Sequence, residues 1–335
     1  MRAVVLPQTG GPNQLRIEQV KTPTPEPGQV RVALRAAALN RRDVWISLGL
    51  YPRIQLPCIL GSDGAGIIDQ IGDGIDQQWI GREVVIYPAY DWGDDPRFPG
   101  PTFRVLGMPD PGTFADFICV PVEHVFPKPA HLSWEQAAAI PLAGLTAWRA
   151  IVTQSALQPG EKVLVTGIGG GVATFALKWA VALGAQVFVT SGHLDKIDRA
   201  MALGAVAGVN YHASDWAQQV LKLSGGLDVI IDGTGGAAFN GYLSLLKPAG
   251  RIIVYGATAG NPPEGPELAR LFFRQLQIRG STMGSLSEFS EMLAFVAARC
   301  IEPVIDKVFP LEEASAAHRH LQATAQMGKV VLRHM

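Results

Sequence analysis

The chain has 335 residues, of which 48% are hydrophobic and 17% charged, and its formal net charge is −1. At ~150 residues per domain that length suggests two domains, and the apolar content excludes a disordered chain. A near-neutral balance with no basic block excludes the electrostatic footprint expected for nucleic acid or an acidic membrane surface.

The first residues, MRAVVLPQTGG, lack the long apolar core of a signal peptide. Later apolar runs are broken by glycine, proline or charge before a spanning length of ~20 residues. A soluble, cytoplasmic protein acting on a small molecule is expected. Cys58, Cys119 and Cys300 lie far apart, form no CxxC pair and share no metal-ligand spacing with a histidine. They read as reduced thiols packed like small apolar residues.

Residues 1 to about 130 carry short β-type runs between Pro/Gly turns: RAVVL, QVRVALRAAAL, CILG, GAGIIDQIG, REVVIYP and FADFICV. They predict an irregular, barrel-like β domain. A long loop, YPAYDWGDDPRFPGPTFRVLGMPDPG, interrupts it. Its length marks it as functional or interfacial. Trp92, Phe98 and Phe103 in that loop either shape an acceptor pocket or anchor the loop.

After PKPAHLSWEQAAAIPLAGLTAWRAI the texture changes. Ser133 is a plausible N-cap, with Glu135 in the first turn. The runs KVLVTG, AQVFVTSG, AVAGVNY, LDVIIDGTGG, GRIIVYG and LQIRGSTMG then alternate with helical segments such as VATFALKWAVALG and DWAQQVLKLSG. Strands alternating with helices predict parallel βαβ units, and six strands fit a doubly wound nucleotide-binding sheet. A closing piece, EFSEMLAFVAARC, IDKVFP, LEEASAAHRHL and GKVVLR, returns to β texture. The expected division is 1–130 with 285–335 for the β-rich domain and 131–284 for the dinucleotide-binding domain.

KVLVTGIGGGVATFALKWA places glycines between a predicted strand and a predicted helix. Gly167 permits the tight turn, Gly169, Gly170 and Gly171 let the backbone approach a ligand, and Ala173 lets the helix pack near the strand. Backbone N–H groups at the helix start then face an anionic group. At the end of the second strand stand Thr190, Ser191 and Gly192, with Lys196 soon after. Without a carboxylate there, a 2′-phosphate is not repelled, and a hydroxyl with an ammonium can bind it, which favours NADPH. Lys196 can equally be a solvated helix charge.

LPCILGSDGAGII, PGTFADFICVP, AAAIPLAGLTAWRAI, VLVTGIGGGVA, DVIIDGTGG and GKVVLR together resemble the medium-chain dehydrogenase/reductase superfamily over essentially the whole chain. LNRRDVWISLGLYP and GLTAW look most like its quinone oxidoreductase-like branch. The resemblance implies an α/β protein, with a Rossmann doubly wound sheet beside a GroES-like β-rich barrel, and a homodimer paired through LQIRGSTMG. It places Asn40, Asp43 and Tyr51 beside the nicotinamide. It places Thr146, Val172, Tyr211, Gly256 and Lys329, with the glycine turn and the residues after the second strand, along the cofactor.

Zinc-dependent members carry a cysteine where this chain has Asn40 and a His-Glu pair where it has Ser62 and Asp63. Their third ligand falls near Pro141 and Leu142, and their structural-zinc loop corresponds to the cysteine-free 88–113. No metal is expected, since amide, hydroxyl and one carboxylate do not make a catalytic zinc set. The turn PCILGSDGAGII reads as one that has lost its metal, Asp63 keeping a structural role and Ser62 having no assigned chemistry. Arg41 and Arg42 depart from the small or apolar residues at these positions and are expected in surface ion pairs. The expected activity is NADPH-dependent reduction of quinones or other electrophilic carbonyl compounds. The alternatives are an enoyl reductase and a non-catalytic nucleotide-sensing protein.

Overall fold

In the N-terminal part of the chain, alternating apolar residues make strands wherever Pro/Gly turns leave room for them. The computed structural model describes residues 1–334. The chain begins with β1 (Arg2–Leu6), β2 (Arg16–Gln19) and β3 (Gln29–Ala38), and then enters α1 (Arg41–Leu48). There follow β4 (Cys58–Ile59), β5 (Asp63–Ile71), β6 (Glu83–Ile86), β7 (Ala89–Tyr90), β8 (Arg104–Val105), β9 (Phe117–Pro121) and β10 (Val125–Pro127). Two helices come next, α2 (Trp134–Ala139) and α3 (Pro141–Trp148), and a π-helical stretch over Arg149–Gln154.

The βα alternation is as the sequence predicts: β11 (Lys162–Val165), α4 (Gly171–Ala182), β12 (Gln186–Ser191), α5 (Leu194–Ala202) and β13 (Ala207–Asn210). It continues through α6 (Trp216–Ser224), β14 (Leu227–Asp232), α7 (Phe239–Leu245), β15 (Leu246–Val254), α8 (Leu268–Phe273) and β16 (Gln277–Gly280). The chain closes with α9 (Leu286–Arg299), β17 (Ile305–Pro310), α10 (Ala314–Gln322) and β18 (Lys329–Arg333).

Two compact units result, Met1–Leu145 with Gly284–Met335 and Thr146–Met283. The boundary differs from the expected 130/131. The physical reason is that α2, with buried Ala137, Ala138 and Ala139, packs on β3, β5 and β18 of the β-rich unit. Ser133 caps it, its Oγ accepting from the Gln136 N–H while the Gln136 side chain accepts from the Ser133 N–H.

In the second unit the strand order is β13-β12-β11-β14-β15-β16 with all pairings parallel. This is the doubly wound sheet. The near-continuous apolar runs of β11 and β14 are buried, as a sheet covered on both faces requires.

In the first unit the main sheet runs β10-β6-β5-β3-β18-β17, and β9 also pairs with β3. β3 is its organiser. It pairs antiparallel with β5 on one side, and on the other with β9 through residues 29–33 and with β18 through residues 36–38. A core of Leu6, Leu39, Val44, Ile46, Leu60, Phe114 and Leu332 fills the space beneath α1 and the turn at 61–66. Among the described residues no helix is long and apolar enough to cross a membrane.

Candidate active site and cofactor cradle

Strand register brings three distant polar residues of the first unit together. β18 runs antiparallel to β3 with Val331 opposite Ala38, and the ladder continues through the Leu39 N–H to the Val330 carbonyl. Two residues further along each strand, Lys329 therefore meets Asn40. β5 starts on the other side of β3 with Asp63 opposite Ala38. The Lys329 ammonium donates to Asn40 Oδ1 at 2.7 Å and to Asp63 Oδ2 at 2.8 Å, and Asn40 Nδ2 donates to the same Asp63 oxygen at 2.9 Å. The Leu142 backbone N–H donates to Asp63 Oδ1 at 2.7 Å. Lys329 is 3% exposed and Asp63 fully buried.

The chain turns into α1 at Asn40, and Asp43 at the third helical position accepts from the Asn40 backbone N–H at 2.7 Å. Gly49, in the left-handed region, ends the helix. Asp43 is thus placed as the carboxylate of a helix cap, fully buried. Arg42 is not in a surface ion pair. It is buried, its Nη1 donating to Ser62 Oγ at 3.0 Å and the Leu106 carbonyl at 2.9 Å, and its Nη2 to the Met108 carbonyl at 3.3 Å. The turn at 61–66 presents Ser62 to the first turn of α1, so the arginine is drawn inward. Ser62 relays the contact, its Oγ donating to the Leu106 carbonyl. Arg41 also bonds within the protein, to the Leu321 carbonyl. The guanidinium of Arg42 stands over the half-buried Tyr51 ring, 5.1 Å from its centroid.

The result is a charge-balanced cluster in which Arg42 and Lys329 face Asp43 and Asp63. A single buried charge would be prohibitive, whereas paired charges of opposite sign are tolerated; of this cluster, Arg42 Nε and Asp43 Oδ1 are buried with no hydrogen-bond partner. Burial pushes the Asp63 carboxyl above its usual range, opposed by the Lys329 ammonium and by the bonds from Asn40 and Leu142. Burial acts likewise on Asp43, opposed chiefly by Arg42.

In the 88–113 loop Trp92 is buried and edge-on to Phe103, while Phe98 is 54% exposed. Trp92 anchors the loop.

In the second unit the glycine turn has the geometry its sequence implies. Gly167 (φ 60°) and Gly169 (φ 133°) adopt backbone conformations open mainly to glycine. Gly170 is the N-cap of α4, and a Cβ built on it would find nothing within 4 Å. The helix start and this open backbone have the form of an anion-binding turn. Gly171 and Val172 open the helix itself. Thr190 and Ser191 end β12 buried, and Lys196 in the first turn of α5 is 7% exposed, so it is not a solvated helix charge. Tyr211 is exposed, and a Cβ on Gly192 would come within 2.8 Å of its hydroxyl. Gly256 approaches the Gly233 carbonyl, and the Thr146 hydroxyl lies 3.9 Å from Met283 Sδ.

Asp232, which sequence reasoning passed over, ties this unit's loops together. Its carboxylate accepts from Thr166 Oγ1 and Thr234 Oγ1, both at 2.6 Å, and from the Gly235 N–H at 3.0 Å. Thr166 immediately precedes the glycine turn. The signal was present in DVIIDGTGG, a carboxylate ending an apolar strand just ahead of paired glycines.

Comparison with known proteins agrees with this architecture. Residues 26–130 match the alcohol dehydrogenase GroES-like domain family and residues 171–298 the zinc-binding dehydrogenase family. The chain is 36% identical to a zinc-type alcohol dehydrogenase-like protein of Schizosaccharomyces pombe over 99% of each chain. It is 31% identical to a quinone oxidoreductase of Pseudomonas aeruginosa over 96% of each. A crystal structure of an NAD-dependent alcohol dehydrogenase superposes with a TM-score of 0.94 at 41% identity, covering 99% of both chains.

Two of these names carry zinc, and the residues at the matching turn do not fit one. Both oxygens of Asp63 already accept from donors, one of them an ammonium, and the other side chains offered are an amide and a hydroxyl. Catalytic zinc takes three nitrogen, sulfur or carboxylate ligands. Among the described residues no group of three or more His, Cys, Asp or Glu is gathered to hold a metal. With both halves matched and relatives above 30% identity over nearly its whole length, the chain belongs to the medium-chain dehydrogenase/reductase superfamily and is an oxidoreductase.

Proposed function

We propose that the protein is an NADPH-dependent reductase that delivers hydride to a quinone or another electrophilic carbonyl compound without zinc. The observation that carries this reading is the Asn40–Asp63–Lys329 cluster, which fills the turn of the zinc ligands with an amide and an ammonium that donate, and with a carboxylate already occupied by both of them. The nicotinamide cofactor, when bound, supplies the hydride. Asn40 is the donor that meets charge developing on the acceptor's oxygen, and preorganised donors of this kind lower the barrier without reorganisation. Asp43 fixes the helix start on which Asn40 stands, and Tyr51, held under Arg42, covers the acceptor.

Several groups support the preference for NADPH. Thr190, Ser191 and buried Lys196 follow β12, and Tyr211 lies across Gly192. A structural relative described as NAD-dependent pulls the other way, so the cofactor decides the reading. The test is oxidation of NADPH and of NADH by the purified protein, with quinones, enones, enoyl thioesters and aldehydes, and with elemental analysis of the same preparation. NADPH oxidation with quinones or enones and no stoichiometric zinc is the expected result. Equal use of NADH, or one zinc per chain lost only with activity, refutes it.

We place the protein in the cytoplasm and read it as a homodimer paired through β16. That strand is an edge, all four of its residues are exposed, and neighbouring α8 exposes Leu268, Phe272 and Phe273 at 65%, 57% and 79%. A bare edge beside apolar side chains favours pairing with a second copy. Light scattering at micromolar concentration should give twice the mass of 35.8 kDa.

A further inference from the structure

We infer that Lys329 is a positioning residue that orients and polarises the Asn40 amide, rather than a contact to the cofactor. The inference rests on the reading of Asn40 as the donor to the acceptor's oxygen. Its basis is the pattern of bonds on the amide. Asn40 Oδ1 accepts from the ammonium at 2.7 Å, and one N–H of Nδ2 goes to Asp63 Oδ2 at 2.9 Å. Rotating the amide by 180° would set its NH₂ against the ammonium and its carbonyl against the carboxylate. Both contacts would become repulsive, so the two charges hold a single orientation.

The second consequence is electronic. An ammonium on the carbonyl oxygen draws density away from the amide nitrogen, and a charge-assisted bond at one end of a chain strengthens the donor at the other. Asp63 takes one Nδ2 hydrogen, and the second serves the acceptor. Lys329 itself is spent on Asn40 and Asp63, which are joined to it by strand register and sealed by burial. The positive charge thus reaches the reaction through Asn40.

The test is a double-mutant cycle of Asn40→Ala and Lys329→Met. It is read as single-turnover hydride transfer at saturating cofactor, together with cofactor dissociation constants and melting curves. We expect each single variant to slow transfer about 10-fold, and the double variant to be no slower than Asn40→Ala alone. Cofactor affinity should stay within about 2-fold. A double variant slower by the product of the two, about 100-fold, shows that Lys329 acts independently of Asn40 and overturns the inference. Weakened cofactor binding with unchanged transfer makes Lys329 a cofactor contact and overturns it too. So does a lowered melting temperature with unchanged transfer. If Asn40→Ala itself transfers at the wild-type rate, the reading of Asn40 falls. If only Lys329→Met does, the inference about Lys329 falls while that reading stands. Should Lys329→Met fail to fold because Asp63 is left unpaired, Lys329→Met with Asp63→Asn removes both charges together. The same slow transfer is expected from that pair, and a wild-type rate overturns the inference.

Discussion

The segment GSDGAG at 61–66, which runs from a turn into β5, and the turn GIGGG at 167–171 are both rich in glycine, and the protein uses the missing side chains of Gly66 and Gly170 in opposite ways. In the first, the space is taken by the protein itself. A Cβ on Gly66 would lie 2.2 Å from the Ala33 carbonyl oxygen, and one on Gly61 2.5 Å from the Phe114 ring. In the second, a Cβ on Gly170 would meet nothing within 4 Å. One turn has no side chain because neighbouring strands close over it. In the other, a Cβ on Gly167 would come 2.7 Å from Thr234 Cγ2, while the backbone at Gly170 stands open. Glycine content does not distinguish a packed turn from a cradle; what surrounds the absent Cβ does.

The largest expected effect tests the packed turn. Gly66→Ala must push β3 and β5 apart, because its neighbour is backbone that cannot rotate away. A loss of more than about 3 kcal/mol of stability is expected from denaturant melts. A loss below about 1 kcal/mol would show that the sheet yields and would remove half of the comparison.

Much of the nucleotide-binding unit is legible in the sequence, because a buried parallel strand announces itself as a short β-branched run and its helices carry their own period. The six runs from KVLV to QIRG are the six strands of the sheet. The first unit is less legible. Helix α1 was not read in LNRRDVWISLGLYP, although Asn40 and Asp43 have the spacing of a cap and Gly49 that of a helix stop. The partners of Lys329 lie 289 and 266 residues away. Only the pairing of β18 and β5 with β3 aligns them, and no local pattern encodes register between strands so distant in sequence. Arg42 was expected at the surface because arginine is mostly exposed. Its carbonyl partners Leu106 and Met108 come from a loop whose path the sequence does not specify.

A pH effect of similar size sharpens the account of the packed turn. The Phe114 ring that a Gly61 Cβ would strike stands edge-on to His318, centroids 5.7 Å apart. His318 is fully buried and donates from Nδ1 to the Ala314 carbonyl at 2.8 Å. Burial pushes its imidazolium down from 6.5 to about 4. The folded state therefore binds the proton less readily than the unfolded chain does. Stability is complete above about pH 6.5 and falls as the pH drops toward 4, by about 3 kcal/mol at most from this group. Melting temperature against pH should fall across that window, and less steeply in His318→Gln. Equal slopes in the two proteins would mean that the core around Phe114 admits water or a partner for the charged ring.

The smallest effect on stability, and the sharpest contrast, is expected at Gly170. Its φ of −70° and ψ of 155° suit any residue, so Gly170→Ala introduces no backbone strain. The added methyl meets no protein atom, and the poorer capping of alanine, about 1 kcal/mol, is offset by the ~0.4–1 kcal/mol gained from a less flexible unfolded chain. Stability should therefore stay within about 0.5 kcal/mol of the parent, against the loss expected at Gly66. Cofactor affinity should not be spared. A methyl standing where backbone N–H groups approach a pyrophosphate holds the anion off the helix start, where its attraction fades within the first turn. A loss of about 3- to 10-fold in cofactor affinity is expected, equal to about 0.7–1.4 kcal/mol, measured by fluorescence titration beside a thermal melt. Unchanged affinity would mean that the cofactor does not use this cradle. A destabilised protein would mean that the space around Gly170 is needed by the fold, and the two turns would then differ in sequence position but not in physical use.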